Sequence, residues 1–266
     1  MPFQKVNAIN IYFELEGDGH PVVFISGMTM NHFPWKLFQV PAFINAGYQC
    51  LVFDNRDCGQ TGESPSGYDT AQLAADTVGL MDALGLEKAH IIGYSLGGMI
   101  AQQMALNHAE KIRSLVLLGT AAKGDAYAVH MMQAIRAAKN KLSNQDFWTL
   151  MSTYVLTWRF HENEELMQRW MGLVTSDAYY QSPASLSRQI DAIMAHDTRD
   201  QLSNIKVPTL LITGEEDMIL PVRHSEFLQQ HIADSKLQLI LRCGHSGLSE
   251  GVDTFNPAAM AFIAHS

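Results

Sequence analysis

His90-Ile91-Ile92-Gly93-Tyr94-Ser95-Leu96-Gly97-Gly98-Met99-Ile100 is the stretch on which the reading of this chain turns. The run His90–Tyr94 is short and continuously apolar, the pattern of a strand buried on both faces. A helix is predicted from about Ser95 to His108. Gly93 and Gly97 flank the serine between them. A strand that turns sharply into a helix through G-x-S-x-G leaves no room for side chains beside the serine. It also sets the hydroxyl at a helix N-terminus, where free amides and the helix dipole stabilise negative charge. An inert glycine-rich turn could carry the same letters. The strand before and the helix after favour a nucleophile.

A serine hydroxyl is a weak nucleophile without a base beside it. Of eleven histidines, His245 stands out, in Arg242-Cys243-Gly244-His245-Ser246-Gly247 just past the last strand-like run, with glycines that let the loop approach a site. His224 is its main rival, but it falls in a helix predicted after Pro221. His32 is placed at the site entrance. A third group has to orient the imidazole and stabilise its cation. Thr213-Gly214-Glu215-Glu216-Asp217-Met218-Ile219-Leu220-Pro221 follows another strand-like run and offers three acids. Asp217 is the choice, with Glu215 and Glu216 as competitors. The order Ser95, Asp217, His245 differs from the orders found in serine proteases. An oxyanion needs two backbone donors. The Leu96 N–H is one, and the Met28 N–H, in the loop Ser26-Gly27-Met28, is the candidate for the other.

Around these motifs the chain alternates two patterns. Ile9–Glu16 alternates apolar and polar residues, as a half-buried antiparallel strand does. Val22–Ile25, Gln49–Phe53, Ser114–Leu118, Pro208–Thr213 and Leu237–Leu241 are further strand-like runs. Leu73, Thr77 or Val78, Met81 and Leu84 recur at helical spacing, and Gly85 supplies a stop. Pro41 makes a helix over Trp35–Ala46 kinked or late-starting. The alternation predicts an α/β fold with a mostly parallel central sheet and helices on both faces. From about Lys123 to His196 no strand run occurs. That stretch holds Trp148, Trp158 and Trp170, three of the four tryptophans, with Met167, Trp170 and Met171 on one helical face. It is predicted as a helical cap over residues 122–196, inserted into a core of residues 1–121 and 197–266. The three tryptophans are candidate pocket residues, with simple packing as the alternative.

The chain has 266 residues, with 47% hydrophobic and 17% charged, which provides for a large core and excludes a disordered or fibrous chain. The net charge of −9 and the lack of any basic cluster exclude nucleic acid or an anionic membrane as the main partner. Three cysteines with no C-x-x-C pair disfavour a disulfide framework or a cysteine-based zinc site. No signal-peptide pattern or membrane-length apolar run is visible. The expectation is a cytoplasmic protein, monomer or homodimer, without metal or organic cofactor.

Taken together, Ser26-Gly27, Asp54-Asn55-Arg56-Asp57-Cys58-Gly59-Gln60-Thr61-Gly62, the elbow at Ser95, Gly214…Asp217…Pro221 and Gly244-His245 resemble the α/β-hydrolase fold enzymes over essentially the whole chain. The likeness is greatest to esterase-like members such as the aclacinomycin methylesterase, enol-lactonase and non-haem haloperoxidase-type branches. Many members have His-Gly where this chain has Ser26-Gly27, and Arg-Gly where it has Asp57-Cys58. Cys58 reads as a small residue in a tight turn, not a second nucleophile. The family's dehalogenases and epoxide hydrolases attack with aspartate, which Ser95 argues against. The resemblance implies hydrolysis of an ester, lactone or thioester through an acyl-Ser95 intermediate, and the Trp, Tyr and Met content of the cap points to a small apolar substrate. The alternatives are carbon–carbon bond hydrolysis, cofactor-free perhydrolysis, or small-molecule reception without turnover.

Overall fold

The computed structural model describes residues 2–266. The chain opens with strands β1 (Phe3–Val6), β2 (Ile9–Glu16) and β3 (His20–Ile25), then short helices α1 (Phe33–Phe38) and α2 (Val40–Asn45). β4 (Tyr48–Phe53), α3 (Thr70–Ala83), β5 (Ala89–Tyr94), α4 (Leu96–Asn107) and β6 (Ile112–Leu118) follow. Five helices come next: α5 (Ala126–Lys139), α6 (Asn144–Val155), α7 (Trp158–His161), α8 (Glu164–Val174) and α9 (Pro183–Ala195). The chain ends with β7 (Thr209–Gly214), α10 (Arg223–His231), β8 (Ser235–Ile240) and α11 (Val252–Ile263).

The eight strands form one sheet in the order β1-β2-β4-β3-β5-β6-β7-β8. β2 pairs antiparallel with β1 and β4, and every later pairing is parallel. Successive side chains of a strand point to opposite faces, and the two cores divide accordingly. Val23, Ile25, Ile91, Leu115 and Leu117 pack with Leu73 and Met81 of α3 and Ile100 and Met104 of α4. Val22, Phe24, Ile92, Val116 and Leu118 pack with Trp35, Phe43 and Phe255 on the other face. A third apolar cluster joins Met131, Phe147, Met151 and Leu186 of the inserted helices to Met99, Ile219 and Leu220. None of the described helices is long and apolar enough to cross a membrane.

Two elements differ from the sequence reading. β1 has no apolar run to announce it, since three of its four residues are exposed or half-buried. The segment around Pro41 is two helices broken at Gln39. Pro34 and Pro41 each lie in a first turn, where a missing N–H costs nothing. The buried Gln39 amide turns aside to donate to the Leu248 carbonyl at 2.7 Å.

Two buried histidines give the fold a pH signature. His90 Nδ1 lies 2.8 Å from Ser114 Oγ, and His196 Nδ1 lies 2.9 Å from Thr70 Oγ1. Burial pushes both imidazoles down to about 4, with Arg113 adding to the effect at His90 and Asp197 opposing it at His196. The unfolded imidazole titrates near pH 6.5. Between about 6.5 and 4 the unfolded chain therefore binds more protons, so stability is complete above that window and falls with pH through it. Urea midpoints measured from pH 7.5 to 4.5 are expected to show this loss. His196→Asn should flatten the slope, and an unchanged slope would assign it to other groups.

Candidate active site

The parallel strands end together, and their register sets the site. Ile25 pairs with Gly93, Tyr94 with Leu118, and Gly214 with Ile240. The loops after β3, β5, β7 and β8 thus leave one edge of the sheet, the carboxyl edge where ligands bind in open α/β folds.

Ser95 occupies the turn from β5 into α4 with φ 55° and ψ −115°. A non-glycine residue held at positive φ costs about 1–3 kcal/mol, and the surroundings enforce it. A Cβ at Gly97 would strike the Ile25 carbonyl, and one at Gly93 the Gly97 carbonyl. Ser95 sits at the N-cap position of α4, yet its hydroxyl caps no amide. Instead Oγ lies 3.1 Å from His245 Nε2. His245 Nδ1 lies 2.7 Å from Asp217 Oδ2. Asp217 Oδ1 accepts the Ile219 and Leu220 N–H groups, each at 2.9 Å. Asp217 and His245 are each only 4% exposed. Gly214 and Gly244 allow the two loops to touch, because a Cβ at Gly214 would collide with the Gly244 carbonyl. The Tyr94 ring packs 5.1 Å from the imidazole.

The competing side chains are engaged elsewhere. Glu215 accepts the Arg242 N–H at 3.1 Å, and Glu216 pairs with Arg159 at 2.7 Å. His224 is buried on α10 with Nε2 3.5 Å from Asp125 Oδ2. Burial lowers its affinity for a proton. The three cysteines are buried and free. Burial pushes the Cys50 and Cys243 thiols up to about 12 and the Cys58 thiol higher still, so none supplies a thiolate.

The loop Ser26-Gly27-Met28 runs alongside the serine, since a Cβ on Gly27 would lie 3.2 Å from Ser95 Cβ. Among the described residues no acceptor takes the Met28 or Leu96 amide hydrogen. Above Ser95 and His245 opens a cavity of about 490 Å³. Met28, Leu37 and Leu248 line it from the core side, and Met132, Trp148, Met151 and Trp170 from the inserted helices. Arg169 also reaches its wall, but that side chain is 74% exposed and pairs with Glu165.

Two residues expected in the pocket lie outside it. His32 is buried between Asp54, 2.8 Å from Nδ1, and Glu14, 3.2 Å from Nε2. Its backbone N–H also donates to Asp54, so it ties the chain after the Ser26-Gly27-Met28 loop to the end of β4. Trp158 is 63% exposed on the four-residue α7 and faces a separate surface groove beside Glu215 and Met218. Phe160, Leu173 and Tyr179 line the cavity and gave no signal in the sequence beyond general apolarity.

A serine–imidazole–carboxylate chain on an elbow, its imidazole and carboxylate buried and its residues in this chain order, is shared by one large family of enzymes. The profile of the alpha/beta hydrolase fold matches residues 20–252. The chain belongs to this family. A Mycobacterium tuberculosis relative, provisionally named non-heme bromoperoxidase BpoC, is 29% identical over 264 residues, covering 96% of this chain and 98% of its own. Its crystal structure superposes with a TM-score of 0.90 over 97% of this chain and 96% of that one. The 2-hydroxy-6-oxo-6-phenylhexa-2,4-dienoate hydrolase of Comamonas testosteroni is 27% identical, covering 95% of this chain and 91% of its own. The enol-lactonase of Burkholderia xenovorans LB400 shares the fold with a TM-score of 0.89 at 24% identity, over 99% of this chain and all of its own. The α/β-hydrolase assignment read from the motifs is thus the one matched.

Proposed function

We propose that this α/β-hydrolase family enzyme cleaves carboxylic esters of small apolar substrates through an acyl-Ser95 intermediate. The observation that carries the reading is the linked pair of hydrogen bonds from Ser95 through His245 to Asp217 on the floor of an apolar cavity. His245 Nε2 takes the Ser95 proton as Oγ adds to the ester carbonyl carbon. The carbonyl π pair becomes an oxyanion facing the Met28 and Leu96 amides. His245 then gives the proton to the departing alkoxide and activates the water that releases the acid. Asp217 holds Nδ1–H throughout and stabilises the imidazolium. The test is turnover of p-nitrophenyl esters by wild type and Ser95→Ala.

In this reading residues 122–196 are the cap, and the cap sets chain-length preference. Trp148 and Trp170 meet edge to face with centroids 5.8 Å apart, and methionines around them adapt in shape. Trp148→Ala or Trp170→Ala is expected to shift the kcat/KM ratio of butyrate to decanoate esters about tenfold, the size of one or two buried methylenes. Trp158→Ala, outside the cavity, should leave the ratio unchanged. Equal ratios in all three variants would reduce the tryptophans to packing.

A ketone-cleaving reading is favoured by one observation. The Comamonas relative is named for a 6-oxo dienoate, which offers a ketone rather than an ester to its hydrolase. Turnover of a vinylogous 1,5-diketone in preference to every ester would favour that reading.

A further inference from the structure

The inserted segment meets the loop after β3 at several points: Met28 packs against its apolar cluster, the Ala178 carbonyl accepts from Asn31 Nδ2 at 3.0 Å, and Gln189 takes the Thr29 N–H. Gln189, on α9, is wholly buried. Its Oε1 accepts the Thr29 N–H at 3.0 Å and a Gln181 Nε2–H at 3.0 Å. Its Nε2 donates to Cys58 Sγ at 3.1 Å and to the Arg56 carbonyl at 3.3 Å. The partner N–H of Thr29 is a donor, so the atom facing it is the oxygen, and the full set of partners prevents the amide from turning over. α9 is itself fixed. The buried Asp57 carboxylate accepts from Arg188 Nη2 at 2.6 Å, Arg188 Nε at 2.9 Å and Ser185 Oγ at 2.9 Å, all on α9. From the core it accepts the Tyr68 hydroxyl at 2.7 Å and the Ser64 N–H at 2.8 Å. The Asp57-Cys58 pair is therefore the seat of this clamp.

What Gln189 holds is strained. The Gly27 carbonyl accepts the Met30 N–H at 3.3 Å, closing a four-residue turn. Thr29, third in that turn, has φ 65°. That is the signature of a type II turn, whose third residue is normally glycine or asparagine. A β-branched side chain avoids this region. Relief of Thr29 toward negative φ turns the Met28–Thr29 peptide and swings the Thr29 N–H away from α9. The Met28 N–H lies in the preceding peptide, and it shifts only as the backbone from Gly27 to Met30, closed into one turn, readjusts around the relaxed Thr29. We propose that Gln189 is a positioning residue: its side-chain oxygen holds Thr29 in the strained turn and so keeps the Met28 N–H aimed at the oxyanion. The inference rests on the acyl-Ser95 reading.

Gln189→Leu keeps the volume and removes the acceptor. Its kcat on p-nitrophenyl butyrate is expected to fall about tenfold or more, short of the full loss of an oxyanion donor, with KM within about twofold. An alkyl trifluoromethyl ketone reports on the hole directly. Ser95 Oγ bonds to its carbonyl carbon, the hydroxyl proton passes to His245, and the π pair becomes the oxyanion. Its affinity should fall in step with kcat, while that of the methyl ketone of equal length stays constant. Glycine accepts a positive φ without strain. In a Thr29→Gly background the Gln189→Leu penalty on kcat should therefore shrink to less than about threefold. If Gln189→Leu is insoluble, Gln189→Glu is measured. It retains the acceptor and loses the donors, and should keep kcat within about threefold at a lower melting temperature. The proposal is overturned by normal kcat in Gln189→Leu, by an equal loss of methyl ketone affinity, by an undiminished penalty in the Thr29→Gly background, or by a tenfold kcat loss in Gln189→Glu. Near-normal ester turnover in Ser95→Ala overturns the acyl-serine reading and this inference with it, whereas failure of the Gln189 arm alone leaves that reading standing.

Discussion

Replacing Asp217 with asparagine is expected to lower kcat about ten-thousandfold while the protein stays folded. The reason lies in which atoms Asp217 faces. Oδ1 accepts two backbone N–H groups, from Ile219 and Leu220, and Oδ2 faces His245 Nδ1. An asparagine has one oxygen, and two fixed donors claim it. The NH2 group is then left toward Nδ1, which has to become an acceptor. The ring proton moves to Nε2 and points at Ser95, so the imidazole can no longer take the serine proton. Glu216→Gln serves as the comparison, because that carboxylate is bound to Arg159 and makes no contact with the imidazole in the hydrogen-bond network. Its kcat should stay within about twofold, as for a surface ion pair. Near-normal kcat in Asp217→Asn with loss in Glu216→Gln would reassign the acid. Burst kinetics separates the steps: both acylation and deacylation should slow in Asp217→Asn, since each uses the same imidazole.

The elbow is legible in the sequence because its constraint is local. The strand, the two glycines and the helix are adjacent in the chain, and Ser95 at φ 55° follows from them. The doubly buried runs of β3, β5, β6 and β7 are legible for the same reason. The choice among Glu215, Glu216 and Asp217 is not settled by residue type. It is decided by a backbone turn in which the Asp217 side chain accepts the amides two and three residues onward, and by an arginine 57 residues upstream that claims Glu216. Nearness in sequence to the loop Ser26-Gly27-Met28 points His32 toward the pocket. Its partner Asp54 is 22 residues away, at the end of a strand whose neighbour in the sheet no local pattern specifies. Trp158 sits on a helix of four residues, too short for periodicity to indicate a face. Gln189 is a polar residue in an amphipathic helix, and nothing in its neighbours in sequence distinguishes it from a solvent-facing one. Apart from Gln181, eight residues upstream, its partners come from the loops after β3 and β4, and only the folded chain brings them together.

Ser95→Ala should be the most damaging change, with kcat on p-nitrophenyl butyrate falling about a millionfold. Removing Oγ deletes the atom that forms the acyl bond, and the other hydroxyls on the cavity wall are not bonded to His245: Ser246 and Ser249 bond each other, and burial keeps the Tyr94 and Tyr179 phenols protonated. The thiols are buried and protonated, and the Thr29 hydroxyl turns back to donate to the Met28 carbonyl. Turnover should not reach zero. The amides of Met28 and Leu96 and the apolar walls remain, and such a shell alone retains about a thousandfold acceleration over water. Serine and histidine act as one unit, so Ser95→Ala combined with His245→Ala should cost no more than Ser95→Ala alone. A base has nothing to activate once the nucleophile is gone. A fluorophosphonate gives the covalent counterpart: Oγ attacks phosphorus, fluoride leaves, and the hydroxyl proton passes to His245. Mass spectrometry of the wild type should place the adduct on the peptide carrying Ser95, with none formed in Ser95→Ala. Asp217→Asn should be labelled at the same residue but far more slowly. Additive losses in the double variant would mean that His245 acts on water independently of Ser95. A labelled residue other than Ser95 would remove the elbow from the chemistry altogether.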